Sequence, residues 1–100
     1  MYDMKNLSKM RKLSELAFET MERFVEFDKA AMEDGAIPVK YKELMAVAVS
    51  LTTQCPYCIE LHSDRAKKAG ATEQEIAETT LVAAALRAGG AVTHGTHALS

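Results

Sequence analysis

Apolar residues recur at steps of three and four along the first third of the chain, which is the period of an α-helix. Between Ser8 and Glu33 they are Leu13, Leu16, Ala17, Met21, Phe24, Val25, Ala31 and Met32. Gly35 then supplies a stop signal, and Pro38 prevents continuation of the helix. The pattern predicts one helix of about 26 residues, roughly 39 Å long at a rise of 1.5 Å per residue.

The length of this predicted helix bears on assembly. A compact domain of 100 residues is only about 33 Å across, so the helix would project from its own monomer. It carries Phe18, Phe24 and Phe27 around more than one face. Because exposed aromatic side chains on a projecting helix favour a partner, we expect a homo-oligomer held together by helices.

The next two predicted helices contain an uncharged stretch. The periodicity from Lys40 to Thr53 predicts a second helix, and no charged residue occurs across Leu44 to Ile59, which is therefore the expected core. A third helix begins at the cysteine motif, because proline is favoured at the first helical position. This places Pro56 at that position and Cys55 at the N-cap. The helix is expected to end at Gly70.

The last third of the chain opens with a capping box formed by Thr72 and Glu75. It predicts a fourth helix that runs to about Ala88. Gly89-Gly90 is expected to interrupt this helix, and Ala91 to Leu99 is expected to form a short final helical segment. No stretch alternates between apolar and polar residues for long enough to predict a strand.

These segments together predict an all-α, single-domain fold of about five helices. A chain of 100 residues suffices for one hydrophobic core and not for two domains. The predicted N-terminal helix occupies residues 1–38, and the core with the cysteine motif occupies residues 39–100.

Charge and hydropathy exclude several classes of partner. Twelve basic and fourteen acidic side chains nearly cancel, so the excess positive charge of nucleic-acid-binding and membrane-surface proteins is missing. The first ten residues lack the apolar segment of a signal peptide, and no apolar run is long enough to span a membrane. We therefore expect a soluble cytoplasmic protein with no nucleic-acid and no membrane partner.

The candidate chemistry lies in the motif Cys55-Pro56-Tyr57-Cys58. Two cysteines at this spacing are expected of a redox pair in a reducing compartment rather than of a secreted disulfide framework. His62 follows Cys58 by four residues, so both side chains lie on one face of the third helix. A helix N-terminus and a nearby histidine both lower the pKa of a thiol, and the thiolate is the reactive form.

A second thiol gives this site a turnover cycle. It can attack a sulfenic acid or a mixed disulfide and close a disulfide that a reductant reopens. Glu43 precedes Cys55 with eleven intervening residues, at the edge of the uncharged stretch, where a carboxylate can relay protons to the thiols or to His62. The candidate catalytic residues are therefore Cys58, Cys55, His62 and Glu43. No bound cofactor and no metal is expected.

The spacing of Glu43, Cys55, Cys58 and His62 resembles the motif of the AhpD-like branch of the carboxymuconolactone decarboxylase family. The run from Leu44 to Ala69, the small-residue segment Val82-Ala83-Ala84-Ala85 and the tail from Arg87 to Gly95 are also similar to those of small members. The resemblance covers roughly residues 41–99.

The resemblance implies an all-α fold, assembly into trimers or hexamers, and reduction of an alkyl hydroperoxide or a disulfide substrate by a dithiol electron donor. It also implies that Cys58 is the peroxidatic thiol, that Cys55 resolves it, and that Glu43 and His62 relay protons. From helix geometry alone the two cysteine roles can be reversed, because the first cysteine of such a motif is often the more exposed. Some peroxidase members carry histidine where this chain has Tyr57, which leaves the rate of peroxide turnover and the electron donor open.

Other functions fit some of the same residues. Cys55, Cys58, His62 and Glu43 are acceptable zinc ligands, so a zinc-stabilised binding module is one alternative. A redox-sensing oligomeric scaffold without rapid turnover is another. A lyase like the decarboxylases of the family is a third alternative, although that branch lacks the paired cysteines.

Overall fold

The structure is a computed structural model that describes residues 2–100. These residues form five α-helices, two short 3₁₀ segments and no β-strand, so the predicted all-α class is confirmed. The α-helices are α1 (Met10–Leu16), α2 (Phe18–Met32), α3 (Val39–Thr53), α4 (Pro56–Lys68) and α5 (Glu73–Gly95), and the 3₁₀ segments are Met4–Lys9 and Thr96–Ala98. Within this range no helix combines the length and apolarity needed to cross a membrane.

The prediction of one continuous N-terminal helix is wrong. The backbone leaves the helical region at Ala17, with φ −136° and ψ 57°, and separates α1 from α2. The break is explained by tertiary contacts on either side of it, before α1 and at the end of α2. Asp3 and Asn6 hydrogen-bond to Tyr57 at the start of α4, whereas Met32 at the end of α2 lies beside α3. The break allows the N-terminal segment to contact α4 while the end of α2 contacts α3.

Helix α3 begins and ends through specific backbone contacts. The Asp34 carboxylate accepts a hydrogen bond from the Val39 amide at 2.8 Å. At the other end Gln54 adopts a left-handed conformation with φ 57° and ψ 50°. The Cys55 amide then donates to the Ser50 carbonyl at 3.1 Å. This tight reversal sets the N-terminus of α4 directly after the C-terminus of α3.

The predicted capping box of α5 is confirmed. The Glu75 amide donates to Thr72 Oγ1 at 3.0 Å, and the Thr72 amide donates to Glu75 Oε1 at 2.9 Å. Lys40 Nζ lies 2.9 Å from Glu75 Oε2 and links the starts of α3 and α5. The Thr72 amide and, secondly, Lys40 lower the pKa of Glu75. The same ion pair raises the pKa of Lys40.

The predicted interruption at Gly89-Gly90 is also wrong, because α5 continues to Gly95. Glycine inside a helix costs about 1 kcal/mol relative to alanine. Here both glycines follow the alanine-rich run Ala83–Ala85 and a capped start, which favour helix. A Cβ atom built at either glycine would meet nothing within 4 Å in this chain.

The core lies where α3, α4 and the start of α5 meet. Leu44, Ala66 and Ala71 are buried together, and Ile76 packs against them. Val47 is 2% exposed. The predicted core stretch is only half right, because its buried residues follow one face of α3. The other face of α3 carries exposed apolar side chains.

The chain is extended for its length. Its radius of gyration is 16.6 Å and its extents are 52 × 35 × 29 Å, whereas a compact domain of this length has a radius of gyration of about 13 Å. The distal half of α5 contributes to this shape, since every residue from 84 onward is exposed.

Candidate active site

The cysteine motif sits at the start of α4 as the proline position predicted. Cys55 is the N-cap residue, Pro56 is the first helical residue, and the Cys58 amide donates to Cys55 Sγ at 3.3 Å. The two sulfur atoms are joined in a disulfide, with the Cα atoms 5.3 Å apart. The backbone of this helix start therefore accommodates the oxidised pair.

The helix start also suits the reduced pair. The first amides of an α-helix have no carbonyl partner within the helix, and they carry the positive end of its dipole. A thiolate at this position is stabilised by both features, which is how helix starts lower the pKa of cysteines in general. At this helix start the Cys58 amide already donates to Cys55 Sγ.

Glu43 and His62 meet although nineteen positions separate them in sequence. Glu43 Oε2 lies 2.6 Å from His62 Nδ1. The Glu43 side chain is 6% exposed and the His62 side chain is 17% exposed. A carboxylate on Nδ1 fixes the orientation of the ring and leaves Nε2 as the nitrogen available for proton transfer. Helix α3 therefore supplies the group that orients a histidine of α4.

A groove joins this pair to one of the cysteines. It has a volume of about 200 Å³ and is lined on one side by Asp28 and Met32 of α2. Val49 and neighbouring residues of α3 line its floor, and Cys58 and His62 line its inner end. Cys55 is absent from the lining. The thiol that faces this space is therefore the second cysteine of the motif.

Tyr57, the second of the two residues between the cysteines, is held by contacts from the N-terminal segment. The Tyr57 hydroxyl accepts hydrogen bonds from the Asp3 amide at 3.2 Å and from Asn6 Nδ2 at 3.1 Å. The Tyr2 ring packs edge-on against the Tyr57 ring at 4.9 Å, and its hydroxyl donates to Glu60 Oε2 at 2.5 Å. Glu60 raises the pKa of Tyr2 through this hydrogen bond. The N-terminal segment is thus anchored on the cysteine motif.

All four candidate residues predicted from sequence lie in one region. Cys55 and Cys58 are bonded, His62 shares the groove with Cys58, and Glu43 contacts His62. Their catalytic roles remain predictions. Among residues 2–100 no three or more His, Cys, Asp or Glu side chains are grouped so as to hold a metal ion.

A sequence profile of the carboxymuconolactone decarboxylase family matches residues 19–100. The chain belongs to this family. The match includes α2 from its second residue, α3 to α5 and all four candidate residues. It leaves out Tyr2, Asp3 and Asn6, which contact Tyr57.

Two curated proteins are similar in sequence to this chain. The chain is 46% identical over 77 residues to an uncharacterized protein of the cox locus of Paracoccus denitrificans, covering 77% of this chain and 69% of the relative. It is 32% identical over 72 residues to an uncharacterized protein of Cupriavidus necator, covering 72% of this chain and 64% of that relative. The chain thus spans about two thirds of the length of each.

Two crystal structures share the fold. A carboxymuconolactone decarboxylase family protein from Legionella pneumophila superposes with a TM-score of 0.78 and 35% identity, over 82% of this chain and 73% of the other. A protein from Methanobacterium thermoautotrophicum superposes with a TM-score of 0.77 and 35% identity, over 82% of this chain and 94% of the other.

The sequence did not predict the residues of α2 that line the groove at Cys58. Asp28 and Met32 line the groove, yet they lie about thirty residues before the cysteines in a charge-rich segment. Tyr2, Asp3 and Asn6 were missed for the same reason. No spacing rule links residues of separate helices, so no local signal marks them.

Proposed function

We propose that this protein is a thiol oxidoreductase of the AhpD-like type that reduces hydroperoxides or disulfides with electrons from Cys55 and Cys58. One observation carries the proposal: Cys58 faces a groove together with His62, and buried Glu43 orients that histidine. The disulfide to Cys55 supports a resolving step. A lyase has no evident need for such a pair.

With a hydroperoxide, the Cys58 thiolate attacks the distal oxygen and the O–O bond breaks. The sulfur becomes a sulfenic acid, and the alkoxide leaves as the alcohol after receiving a proton. His62, held at Nδ1 by Glu43, is positioned to deliver this proton from Nε2. The exposure of Cys58 to the groove supports its assignment as the attacking thiol.

The second step regenerates a disulfide. The Cys55 thiolate attacks the sulfur of Cys58, and hydroxide leaves as water after taking up a proton. Two electrons have then passed from the two thiols to the peroxide. An external dithiol restores the pair by thiol–disulfide exchange. A disulfide substrate follows the same route through a mixed disulfide in place of the sulfenic acid.

The test is a count of free thiols. Fully reduced protein is mixed with one equivalent of cumene hydroperoxide, and thiols are counted by alkylation and mass spectrometry before and after dihydrolipoamide is added. We expect rapid loss of two thiols per chain and their recovery. In the Cys55→Ser variant, a sulfenic acid on Cys58 should accumulate. In the Cys58→Ser variant, peroxide consumption should fall to the uncatalysed rate.

Two outcomes would contradict the proposal. Sustained cycling in the Cys58→Ser variant would refute the assignment of the attacking thiol. Thiols that stay unreactive until a chelator is added, with about one zinc per chain, would replace the enzyme with a zinc-stabilised module.

We further propose that the working form is a cytoplasmic homo-oligomer, a trimer or hexamer. The described structure exposes 7788 Å², whereas a compact monomer of 10.9 kDa exposes about 5,600 Å². The excess is comparable to the area that stable homo-oligomers bury. Much of it is apolar, including Met45, Leu81, Val82 and Leu86. Light scattering coupled to size exclusion tests this, and a monomer at micromolar concentration would refute it.

A further inference from the structure

We infer that Asp28 is a specificity-determining residue that makes the groove at Cys58 select neutral and cationic substrates over anionic ones. The inference rests on the proposed function and extends it to a substrate class. Asp28 belongs to α2, whereas the reacting groups belong to α4, so the charge is brought to the site only by the packing of α2 on α3.

The inference is based on the negative charge of the groove lining. Asp28 is its one carboxylate, and no ammonium or guanidinium group lines it. Among residues 2–100 no ion pair joins Asp28 to another side chain. Asp28 is exposed and has no ion-pair partner among these residues. His62 is the one lining side chain able to carry positive charge, and its Nδ1 already faces Glu43.

The hydroxyl groups of the groove do not offset the negative charge of Asp28 by offering hydrogen-bond donors to an anionic substrate. Ser50 Oγ donates to the carbonyl of Ala46, and Thr53 Oγ1 donates to the carbonyl of Val49 at 3.0 Å. Their protons are thus committed to the backbone of α3. A carboxylate entering the groove would meet the charge of Asp28 and no free hydroxyl donor from these two residues.

The nearest cation of α3 is engaged elsewhere. Lys42 Nζ donates to the carbonyl of Ala31 at 2.9 Å and to the carbonyl of Glu33 at 2.5 Å. It therefore caps the C-terminus of α2, where a cation complements the helix dipole. It is not part of the groove lining.

Coulomb's law gives the size of the effect. A unit charge about 8 Å from the carboxylate in a solvent-exposed site changes a rate by about 2.4-fold. Removing the charge of Asp28 should therefore raise the rate with an anionic substrate and lower the rate with a cationic one. The ratio of the two rates should change by about sixfold.

The experiment uses small disulfides of opposite charge as oxidants of the reduced full-length protein. Cystamine carries two ammonium groups and 3,3′-dithiodipropionate carries two carboxylates. In each reaction the Cys58 thiolate displaces one thiolate from the probe, and Cys55 then displaces the second from the mixed disulfide. Two electrons pass to the probe. Rates of thiol loss are measured in the wild type and in the Asp28→Asn variant, and each variant rate is divided by the wild-type rate so that intrinsic probe reactivity cancels.

Glu26→Gln is the matched control. It removes the same charge from the same helix, but Glu26 lies two positions from Asp28 and borders a separate acidic surface with Glu19, Glu22 and Arg23. We expect the anionic-to-cationic rate ratio to rise about sixfold in Asp28→Asn and to change less than about twofold in Glu26→Gln. The effect should shrink in 0.5 M salt, where screening is strong. Asp28→Lys, which reverses the charge, should enlarge it.

Equal ratios in the wild type, Asp28→Asn and Asp28→Lys would overturn the inference, as would equal shifts in Asp28→Asn and Glu26→Gln. The neutral probe 2-hydroxyethyl disulfide separates this failure from failure of the proposed function. If the reduced wild type loses two thiols to the neutral probe while the charged probes show no dependence on Asp28, only the inference fails. If it reacts with cumene hydroperoxide but not with the neutral probe, the inference fails for disulfides while the oxidoreductase proposal stands. If it reacts with neither, the oxidoreductase proposal fails and the inference falls with it.

Discussion

The contact between Glu43 and His62 makes a quantitative prediction about stability. Glu43 is 5% exposed, and its Oε2 lies 2.6 Å from His62 Nδ1. Replacing His62 by alanine removes this partner and leaves a carboxyl group in a nearly closed environment. We therefore expect His62→Ala to destabilise the fold as well as to impair catalysis.

The magnitude follows from the burial of the two side chains. Removing one member of a fully buried charged pair costs about 3 to 5 kcal/mol. The side chain of His62 is 17% exposed, so water can partly replace the imidazole, and we expect a loss of about 2 to 3 kcal/mol. This is a large part of the roughly 5 to 15 kcal/mol that stabilises a small domain.

The assay is urea unfolding of the oxidised protein, followed by far-ultraviolet circular dichroism at one fixed protomer concentration. With a slope of about 1.5 kcal/mol per molar urea, the midpoint should fall by about 1.3 to 2 M. His97→Ala is the control, because His97 is exposed near the C-terminus. Its substitution should change stability by less than about 0.5 kcal/mol.

A double variant tests the physical reason. If the loss arises from a buried carboxylate without its partner, adding Glu43→Gln to His62→Ala should restore about 1 kcal/mol, because a neutral amide costs less to bury than a charge. A double variant less stable than His62→Ala would refute the reasoning. A His62→Ala midpoint equal to that of the wild type would refute it as well.

Three further predictions concern positions outside the reacting groups. Thr72 and Lys40 lower the pKa of Glu75 below its ordinary value of 4.5, so the unfolded state binds more protons at this carboxyl group than the folded state does. Stability should therefore fall as the pH drops from about 4.5 through the lowered pKa. If urea titrations gave Glu75→Gln the same dependence of stability on acid pH as the wild type, this prediction would be contradicted. Tyr57→Phe removes the acceptor for the N-terminal segment, and amide exchange there should quicken about tenfold, whereas unchanged protection would show that these hydrogen bonds do not anchor it. Gly70 has φ +98°, so Gly70→Ala should destabilise the fold by about 1 kcal/mol, measured by thermal unfolding. An added Cβ meets no atom within 4 Å, so any loss reports backbone strain alone. A stability equal to that of the wild type would show that this strain is absent.

Local rules predicted the parts of the fold that depend on neighbouring residues. Pro56 and Cys55 marked the start of α4, and Thr72 with Glu75 marked the start of α5. Caps of this kind depend on residues three or fewer positions apart, so sequence alone contains them. The same rules misjudged Gly89-Gly90, because a small intrinsic preference for ending a helix was outweighed by its surroundings.

The candidate site likewise has features that local spacing predicts and features that only helix packing determines. Helical spacing related Cys58 to His62, and motif spacing related Cys55 to Cys58. The resemblance to the family singled out Glu43, but only the packing of α3 against α4 brought it to 2.6 Å from His62. The break at Ala17 and the place of Asp28 in the groove were not predictable, because both depend on how α2 meets α3.

The sequence by itself therefore determined the all-α class, the family and the redox motif at a helix start, since these follow from periodicity, caps and short spacings. The tertiary structure decided which thiol faces the groove, which carboxylate orients the histidine and which charge borders the substrate space. These features join residues far apart in the chain. Their distances depend on the packing of whole helices, and no local pattern encodes that packing.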